Sequence, residues 1–168
     1  LANKLVPLGD VHYIEKMNFA ALAKKSKKTE VSEKTGRMKR KKRFGKSIAN
    51  KTPARFVNIL EEKVKSSGGA FIRINTWKAK ASQYDHTQKA YKKKHLYQRW
   101  AYLSDGAKIQ RDLYSAFLIQ CTNPTFDGFI QAMLDNKYPN FIELHNTAIE
   151  NLMASDAAKV SSMGLKPA

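Results

Sequence analysis

The sequence predicts an α/β fold, and three features in the first half of the chain carry that prediction. Residues 11–14 (V-H-Y-I) follow a Gly-Asp break and favour β-structure, which is typical of a short strand. Apolar side chains recur at helical spacing over residues 47–66, and a Gly-Gly pair ends that helix. Residues 70–75 then resemble a second strand. Helix, glycine turn and strand in succession indicate a mixed α/β architecture.

The remaining elements are predicted from similar local signals. Residues 96–103 and 107–109 are expected to pair as a hairpin, because the Asp-Gly dipeptide between them is typical of a tight turn. An apolar helix begins near Asp112 and is expected to end at the Asn-Pro dipeptide of residues 123–124. Residues 19–23 are expected to leave the first strand as a helix or irregular segment. Further helices are predicted at 126–134 and 139–153, with a frayed end at 154–168.

Length and cysteine content limit the class of protein. A chain of 168 residues is long enough for one sizeable core but short for two comfortable domains. Cys121 is the only cysteine, which excludes an intrachain disulfide and a cysteine-based zinc site, and favours a reducing compartment. The sequence lacks the pattern of a signal peptide. It begins with Leu1, and we expect an N-terminal portion to precede it.

The charge balance predicts a polyanionic partner. The chain has 31 Lys and Arg against 14 Asp and Glu, for a net charge of +17. By count, residues 1–120 hold 28 of the basic and 9 of the acidic residues, whereas the last 48 hold 3 and 5. An anionic membrane is the competing partner, but no apolar run is long enough to span a bilayer. Nucleic acid is therefore the expected partner, bound by the first part of the chain.

The densest positive charge lies at residues 24–46, where 12 of 23 residues are Lys or Arg by count. Such a segment buries little apolar surface and is expected to be mobile without a partner. The alternative is a solvated basic loop. Trp77 and Tyr84 are expected either to stack on unpaired bases or to support the hairpin. The predicted phosphate contacts are Lys24, Lys25, Lys27, Lys28, Arg37, Lys39, Arg40, Lys41, Lys42, Arg43, Lys92, Lys93 and Lys94.

Two carboxylates occupy positions that suggest chemistry. Glu15 ends the first predicted strand, and Asp112 lies at the start of an apolar helix. The ordinary interpretation of Asp112 is that it caps its helix, whose free amide groups favour an acidic residue. The other interpretation is a metal-dependent nuclease. Its carboxylates would hold divalent cations, while the basic surface holds the phosphate backbone.

Two short motifs resemble those of a known family: I-E-K-M-N at residues 14–18 and R-D-L-Y-S-A at residues 111–116. A basic stretch, a helix, a strand and a hairpin are predicted between them. They are similar to the C-terminal half of the transposon-encoded OrfB/TnpB proteins, which are RNA-guided nucleases related to type V CRISPR effectors. The resemblance covers roughly residues 5–120. It implies a partial RNase H-like (RuvC-type) mixed sheet with flanking helices over residues 1–120, and leaves residues 121–168 as a helical tail.

The resemblance also implies site residues and partners. Glu15 and Asp112 would take the second and third ligand roles of a two-magnesium site that hydrolyses phosphodiester bonds. The first ligand is expected on an earlier strand, outside this sequence, and Asp10 is not promoted to that role. The chain by itself is thus expected to bind metal weakly and to cut poorly or not at all. Guide RNA and target DNA would be the partners, and the prokaryotic cytoplasm, at the nucleoid, would be the location.

One departure from the family lies at residues 77–109, where most members carry a zinc ribbon. Here the Ser-Gln dipeptide of residues 82–83 is followed by Y-D-H, without the expected cysteines. Asp85, His86 and His95 lack the spacing of a known zinc pattern, so no zinc is expected. We predict a degenerate ribbon-like hairpin held by aromatic packing. The aromatic residues expected to pack there are Tyr84, Tyr97, Trp100 and Tyr102.

Two rival functions remain open at this point. The alternatives to the nuclease are a catalytically inactive, nucleic-acid-binding remnant of a transposase and a basic structural RNA-binding protein that needs no metal. His12, beside the first strand, is expected to be structural rather than catalytic. The sequence does not determine the oligomeric state.

Overall fold

The computed structural model describes residues 1–24, 29–38, 45–95, 97–155 and 163–165, and it has mixed α/β structure. The length predicts one core, but the chain divides into two compact units, Leu1–Arg73 and Ile74–Ala168. In the described ranges, no helix combines the length and the apolar character needed to cross a membrane. Each unit is described below by itself.

The first unit contains a two-stranded sheet, β1 with β2, and several helices. Helix α1 packs on α4, where Ala2, Leu60 and Val64 form the buried core and Phe56 and Phe71 cover its edge. Its elements are α1 (Ala2–Leu5), a 3-10 turn (Val6–Leu8), β1 (Val11–Glu15), α2 (Phe19–Ala23), α3 (Gly45–Lys51), α4 (Pro53–Ser66) and β2 (Ala70–Ile74).

The glycine pair after α4 confirms the predicted helix–turn–strand sequence. Gly68 has a φ of +81°, a conformation that glycine adopts without steric cost at the end of a helix. At Gly69 a Cβ atom would lie 2.7 Å from the carbonyl oxygen of Asp10, so only glycine fits this close approach. The neighbouring amide of Ala70 donates to the same oxygen at 2.7 Å, where the chain enters β2.

The single helix predicted over residues 47–66 is wrong, because the structure has two helices there. Helix α3 ends at Lys51 and α4 begins at Pro53, with Thr52 between them at a φ of +39°. Proline lacks an amide hydrogen and its ring disfavours right-handed helical geometry in the preceding residue. It is well tolerated as the first residue of a helix, which is the position Pro53 occupies.

Among its described residues, the second unit contains two small hairpins, one short helix and two longer helices that pack together. Strands β3 and β4 pair antiparallel, as do β5 and β6, in which Ala101 lies opposite Ile109 across the Asp-Gly turn predicted from the sequence. Its elements are α5 (Thr76–Ala79), a 3-10 turn (Ala81–Gln83), β3 (Tyr84–Asp85), β4 (Ala90–Tyr91), β5 (Trp100–Tyr102), β6 (Lys108–Gln110), α6 (Arg111–Gln120) and α7 (Gln131–Ala154).

The core of the second unit forms where α6 meets α7. Tyr114 and Leu118 of α6 are fully buried, and the ring of Phe117 stacks on that of Phe141 in α7 at 4.4 Å between centroids. Leu134, also on α7, is fully buried. The predicted helical tail therefore shares the hydrophobic core of this unit.

The two helices predicted at 126–134 and 139–153 are wrong: residues 131–154 form the single helix α7, with Pro139 inside it. Residues 123–128 instead form a turn, because the Asn123 side chain accepts hydrogen bonds from the amides of Asp127 (3.1 Å) and Gly128 (3.3 Å). Packing of Phe141 on Phe117 holds helical structure beyond the proline.

The strand predicted over residues 96–103 is shorter than expected, since β5 covers only Trp100–Tyr102. His95 and Gln98 close a turn before it: the Gln98 amide donates to the His95 carbonyl (3.1 Å), and the His95 amide donates to the Gln98 side chain (2.8 Å). We refer to the described residues His95, Tyr97 and Gln98 as the 95–98 turn.

Aromatic packing in this region differs from the expectation for two of its four residues. Tyr84 is buried and stacks on Phe129 at 4.6 Å, and Trp100 packs edge-on against His145. Tyr97 and Tyr102, however, are 77% and 72% exposed. The loop before α7 therefore supports the β3–β4 hairpin through Tyr84, and α7 supports the β5–β6 hairpin through Trp100. Tyr97 and Tyr102 face solvent.

Candidate functional site

Glu15 lies at the position predicted for it, as the last residue of β1, and it is half-buried. Three residues later Asn18 caps α2, because its side-chain oxygen accepts a hydrogen bond from the Ala21 amide at 2.9 Å. His12, on the same strand, places Nε2 3.1 Å from the Leu5 carbonyl oxygen, a contact that fits its expected structural role. The I-E-K-M-N motif thus ends a strand at its glutamate and caps the next helix with its asparagine.

Asp112 lies in the first turn of α6 and its side chain is exposed. It does not cap the helix. The cap is Gln110, whose Oε1 accepts hydrogen bonds from the amides of Asp112 and Leu113, both at 2.8 Å. Because Gln110 satisfies these amides, Asp112 makes no capping hydrogen bond, and only its favourable placement in the first turn remains of the ordinary interpretation.

Gln110 is a buried capping residue that the sequence does not predict. It is completely buried and lies at the end of β6, where its backbone amide donates to Nε2 of His145 at 3.0 Å. Its side-chain Nε2 donates to Oδ2 of Asp112 at 3.3 Å, so one residue both caps α6 and orients the carboxylate. The only sequence signal is its place directly before the R-D dipeptide, since glutamine is not among the favoured capping residues.

The other residues of the second motif have structural roles. The Arg111 backbone amide donates to the Arg99 carbonyl at 2.9 Å. Its guanidinium Nη1 donates to the carbonyl oxygens of His95 (3.1 Å) and Gln98 (3.4 Å). Ser115, four residues after Arg111, donates to the Arg111 carbonyl at 3.0 Å. The arginine therefore ties the 95–98 turn to the start of α6.

His86, considered above as a weak zinc ligand, lies in a buried hydrogen-bond network. The Tyr114 hydroxyl accepts from the His86 backbone amide (3.1 Å) and lies 2.7 Å from Nδ1. The tautomer of the imidazole ring determines whether Nδ1 or the Tyr114 hydroxyl donates this second hydrogen bond. The Asp85 carboxylate accepts from the amide and hydroxyl of Thr87. Asp85 and His86 are thus both engaged in local structure.

Burial lowers the pKa of His86 from its ordinary value near 6.5, against the opposing effect of Asp85 and two other acidic residues. A lowered pKa in the folded state means that the unfolded chain binds the proton more tightly. The free energy of unfolding is therefore highest above about pH 6.5, where His86 is neutral in both states, and it decreases as the pH falls below that value.

We expect the second unit to be acid-sensitive through this residue. Its free energy of unfolding should fall by at most about 1.4 kcal/mol per pH unit through His86 as the pH drops below about 6.5. Urea unfolding of wild type and His86→Gln at about pH 7.5 and about pH 5.5 measures the effect, since all other titrating groups are common to both chains. The variant should lose less stability on acidification. Equal losses in the two chains would contradict the prediction.

The predicted phosphate-binding residues fall into three groups. Lys24, Arg37, Lys92 and Lys93 are exposed. Lys94 is half-buried, with Nζ 5.6 Å from the centroid of the Tyr114 ring, and burial lowers the pKa of its amine. Outside the described residues lie Lys25, Lys27, Lys28, Lys39, Arg40, Lys41, Lys42 and Arg43.

The two aromatic residues proposed to stack on bases differ in exposure. Trp77 is 86% exposed, on the short helix α5 that Asn75 caps by accepting from the Trp77 amide at 3.0 Å. Tyr84 is buried between Tyr91 and Phe129, so it supports the β3–β4 hairpin instead of the predicted hairpin at residues 96–109, and its ring is closed to a base. Trp77 alone of the two remains open to a base.

The described His, Cys, Asp and Glu side chains do not by their grouping indicate a metal site. The parts of the chain that the structure describes contain no group of three or more His, Cys, Asp or Glu side chains able to hold a metal ion together. Glu15 belongs to the first unit and Asp112 to the second. Their predicted ligand roles therefore rest on the motifs and on the local geometry of each residue.

Comparison of the chain with protein-family models, curated proteins and solved structures found no match. The resemblance to OrfB/TnpB proteins thus depends on the two carboxylate motifs and on the order of the elements between them.

Proposed function

We propose that this chain is the C-terminal part of a metal-dependent, RNA-guided DNA endonuclease of a mobile element, with a RuvC-type, RNase H-like fold. The observation that carries the proposal is the state of Asp112. Its carboxylate is exposed in the first turn of α6, while Gln110 supplies the helix cap. Because this carboxylate makes no capping hydrogen bond to its own helix, it is available to coordinate a metal ion. Its motif resembles the third metal-ligand motif of the family.

The donor chemistry of the two carboxylates fits magnesium, a hard cation that prefers oxygen ligands. Glu15 and Asp112 would each supply carboxylate oxygens, and Gln110 would hold the Asp112 carboxylate in one orientation through its Nε2. Two such ions supply an activated water and stabilise the leaving oxygen in phosphodiester hydrolysis. No zinc is part of the proposal.

Positively charged side chains would bind the phosphate backbone of the nucleic acid. Exposed Lys24, Arg37, Lys92 and Lys93 are suited to phosphate contacts, which position a nucleic acid without reading its sequence. In the proposed enzyme, pairing with a guide RNA selects the DNA target, and the protein holds the backbone. A location at the prokaryotic nucleoid belongs to the same proposal.

A second candidate function is nucleic-acid binding without catalysis, by a transposase remnant or a structural RNA-binding protein. The net charge of +17 and the 86% exposure of Trp77 favour it as much as they favour a nuclease. This candidate needs neither Glu15 nor Asp112.

The deciding measurement is cleavage of labelled single-stranded DNA by the longest natural chain that contains these residues, with its guide RNA where one co-purifies. Cleavage is expected in Mg²⁺ and should stop in EDTA. Tight binding with no cleavage in Mg²⁺ or Mn²⁺ would contradict the nuclease proposal and support the second candidate. The 168-residue chain, assayed alongside, is expected to bind without efficient cutting.

A further inference from the structure

An exposed aromatic pair lies on the 95–98 turn of the second unit. The rings of His95 and Tyr97 stack with centroids 5.3 Å apart and planes 11° from parallel. Tyr97 is nonetheless 77% exposed, so His95 covers a small part of it and most of the ring surface faces water. The exposed ring therefore keeps an open face on which another aromatic ring can stack.

The turn holds this pair in place by hydrogen bonds from two directions. His95 and Gln98 bond to each other at 2.8 and 3.1 Å, and the Arg111 guanidinium donates to the carbonyl oxygens of both. A ring ordered before binding loses less conformational entropy when a ligand stacks on it. Arg111 is also the residue before Asp112, so the pair lies next to the start of α6.

The charge around the pair is complementary to phosphate. Between positions 92 and 99 the chain has four basic residues and no acidic one. Lys92 and Lys93 are exposed, and Arg99 is half-buried. These cations are close to the pair in sequence, and an aromatic surface combined with positive charge is what single-stranded nucleic acid binds, since its bases stack and its backbone follows the charge.

We propose that the His95–Tyr97 pair binds an unpaired base of a single-stranded nucleic acid. Stacking needs an open base face, which a duplex does not offer, so the pair selects single strands. The bound strand then runs past the first turn of α6 and its Asp112 carboxylate. That last step rests on the proposed function, whereas the binding itself does not.

The test is fluorescence anisotropy with a labelled oligothymidylate and an abasic oligonucleotide of the same length, both in EDTA so that cleavage plays no part. Tyr97→Ser should bind the oligothymidylate at least about five-fold more weakly than wild type, the loss expected for one base-stacking contact. Tyr97→Phe, which keeps the ring, should bind as wild type does. The matched control is Tyr102→Ser, at a tyrosine 72% exposed on β5 of the same unit, and it should also bind normally.

The abasic oligonucleotide separates stacking from charge. Wild type and Tyr97→Ser should bind it equally, because it has a backbone but no base to stack. Equal binding of the oligothymidylate by wild type and Tyr97→Ser would overturn the proposal, and so would an equal loss of affinity for both oligonucleotides. Weakened oligothymidylate binding by Tyr97→Ser in a protein that never cleaves DNA would overturn only the nuclease. Normal binding by Tyr97→Ser in a protein that does cleave would overturn only the stacking site.

Discussion

Replacing Asp112 with asparagine is expected to lower the rate of magnesium-dependent DNA cleavage by at least about 100-fold, in the longest natural chain that cleaves. Asparagine keeps the shape of the side chain and an oxygen for the Gln110 Nε2 hydrogen bond, but it removes the negative charge that a metal ligand supplies. The helix cap belongs to Gln110, so α6 should form as before. Loss of an acidic group at the start of a helix alone costs about 0.3–1 kcal/mol.

A matched charge control separates a ligand from a general charge effect. Glu143→Gln removes one exposed carboxylate from α7 in the same unit and should cleave at the wild-type rate. Nucleic-acid affinity, measured by anisotropy without divalent ions, should be similar for both variants, since each changes the net charge equally. Wild-type cleavage by Asp112→Asn would remove Asp112 from the reaction and leave the nuclease proposal without its main support.

Replacing Gln110 with leucine is expected to lower the free energy of unfolding of the second unit by about 3 kcal/mol. Leucine has a similar volume but no acceptor for the amides of Asp112 and Leu113, and no donor for the Asp112 carboxylate. The position is completely buried, so water cannot readily replace the lost bonds. Loss of a cap and unsatisfied buried amides are both among the larger destabilising effects known for single substitutions.

Urea unfolding followed by tryptophan fluorescence measures this effect in the relevant unit, because Trp77 and Trp100 both belong to it. The control is Gln120→Leu, at the exposed last residue of the same helix, which should change stability by no more than about 0.5 kcal/mol. A loss below about 1 kcal/mol for Gln110→Leu would show that the cap contributes little and would weaken the argument that it frees Asp112.

Local signals predicted the elements that depend on a few neighbouring residues. Gly68 and Gly69 follow the end of α4, at positions where a side chain would be strained or would collide with the backbone. Glu15 ends β1 as expected. Pro53 also indicates a helix break, because proline disfavours helical geometry in the preceding residue, but the spacing of the apolar side chains favours one continuous helix.

The errors occur where distant contacts decide the outcome. Helix α7 continues through Pro139 because residues beyond it pack on α6, as Phe141 does on Phe117. Tyr97 was expected to pack and is exposed, since hydrogen bonds from Arg111, more than ten positions along the chain, hold its turn at the surface. No periodicity over a short window contains such information.

The sequence by itself determined the mixed α/β class, the excess of positive charge, and the positions of Glu15 and Asp112 at the end of a strand and the start of a helix. Only the tertiary structure decided that Gln110 caps α6 and that Asp112 makes no capping hydrogen bond. The physical reason is that glutamine has little capping tendency of its own. Burial at the end of β6, with a backbone bond to His145 35 residues away, holds its side chain against the helix.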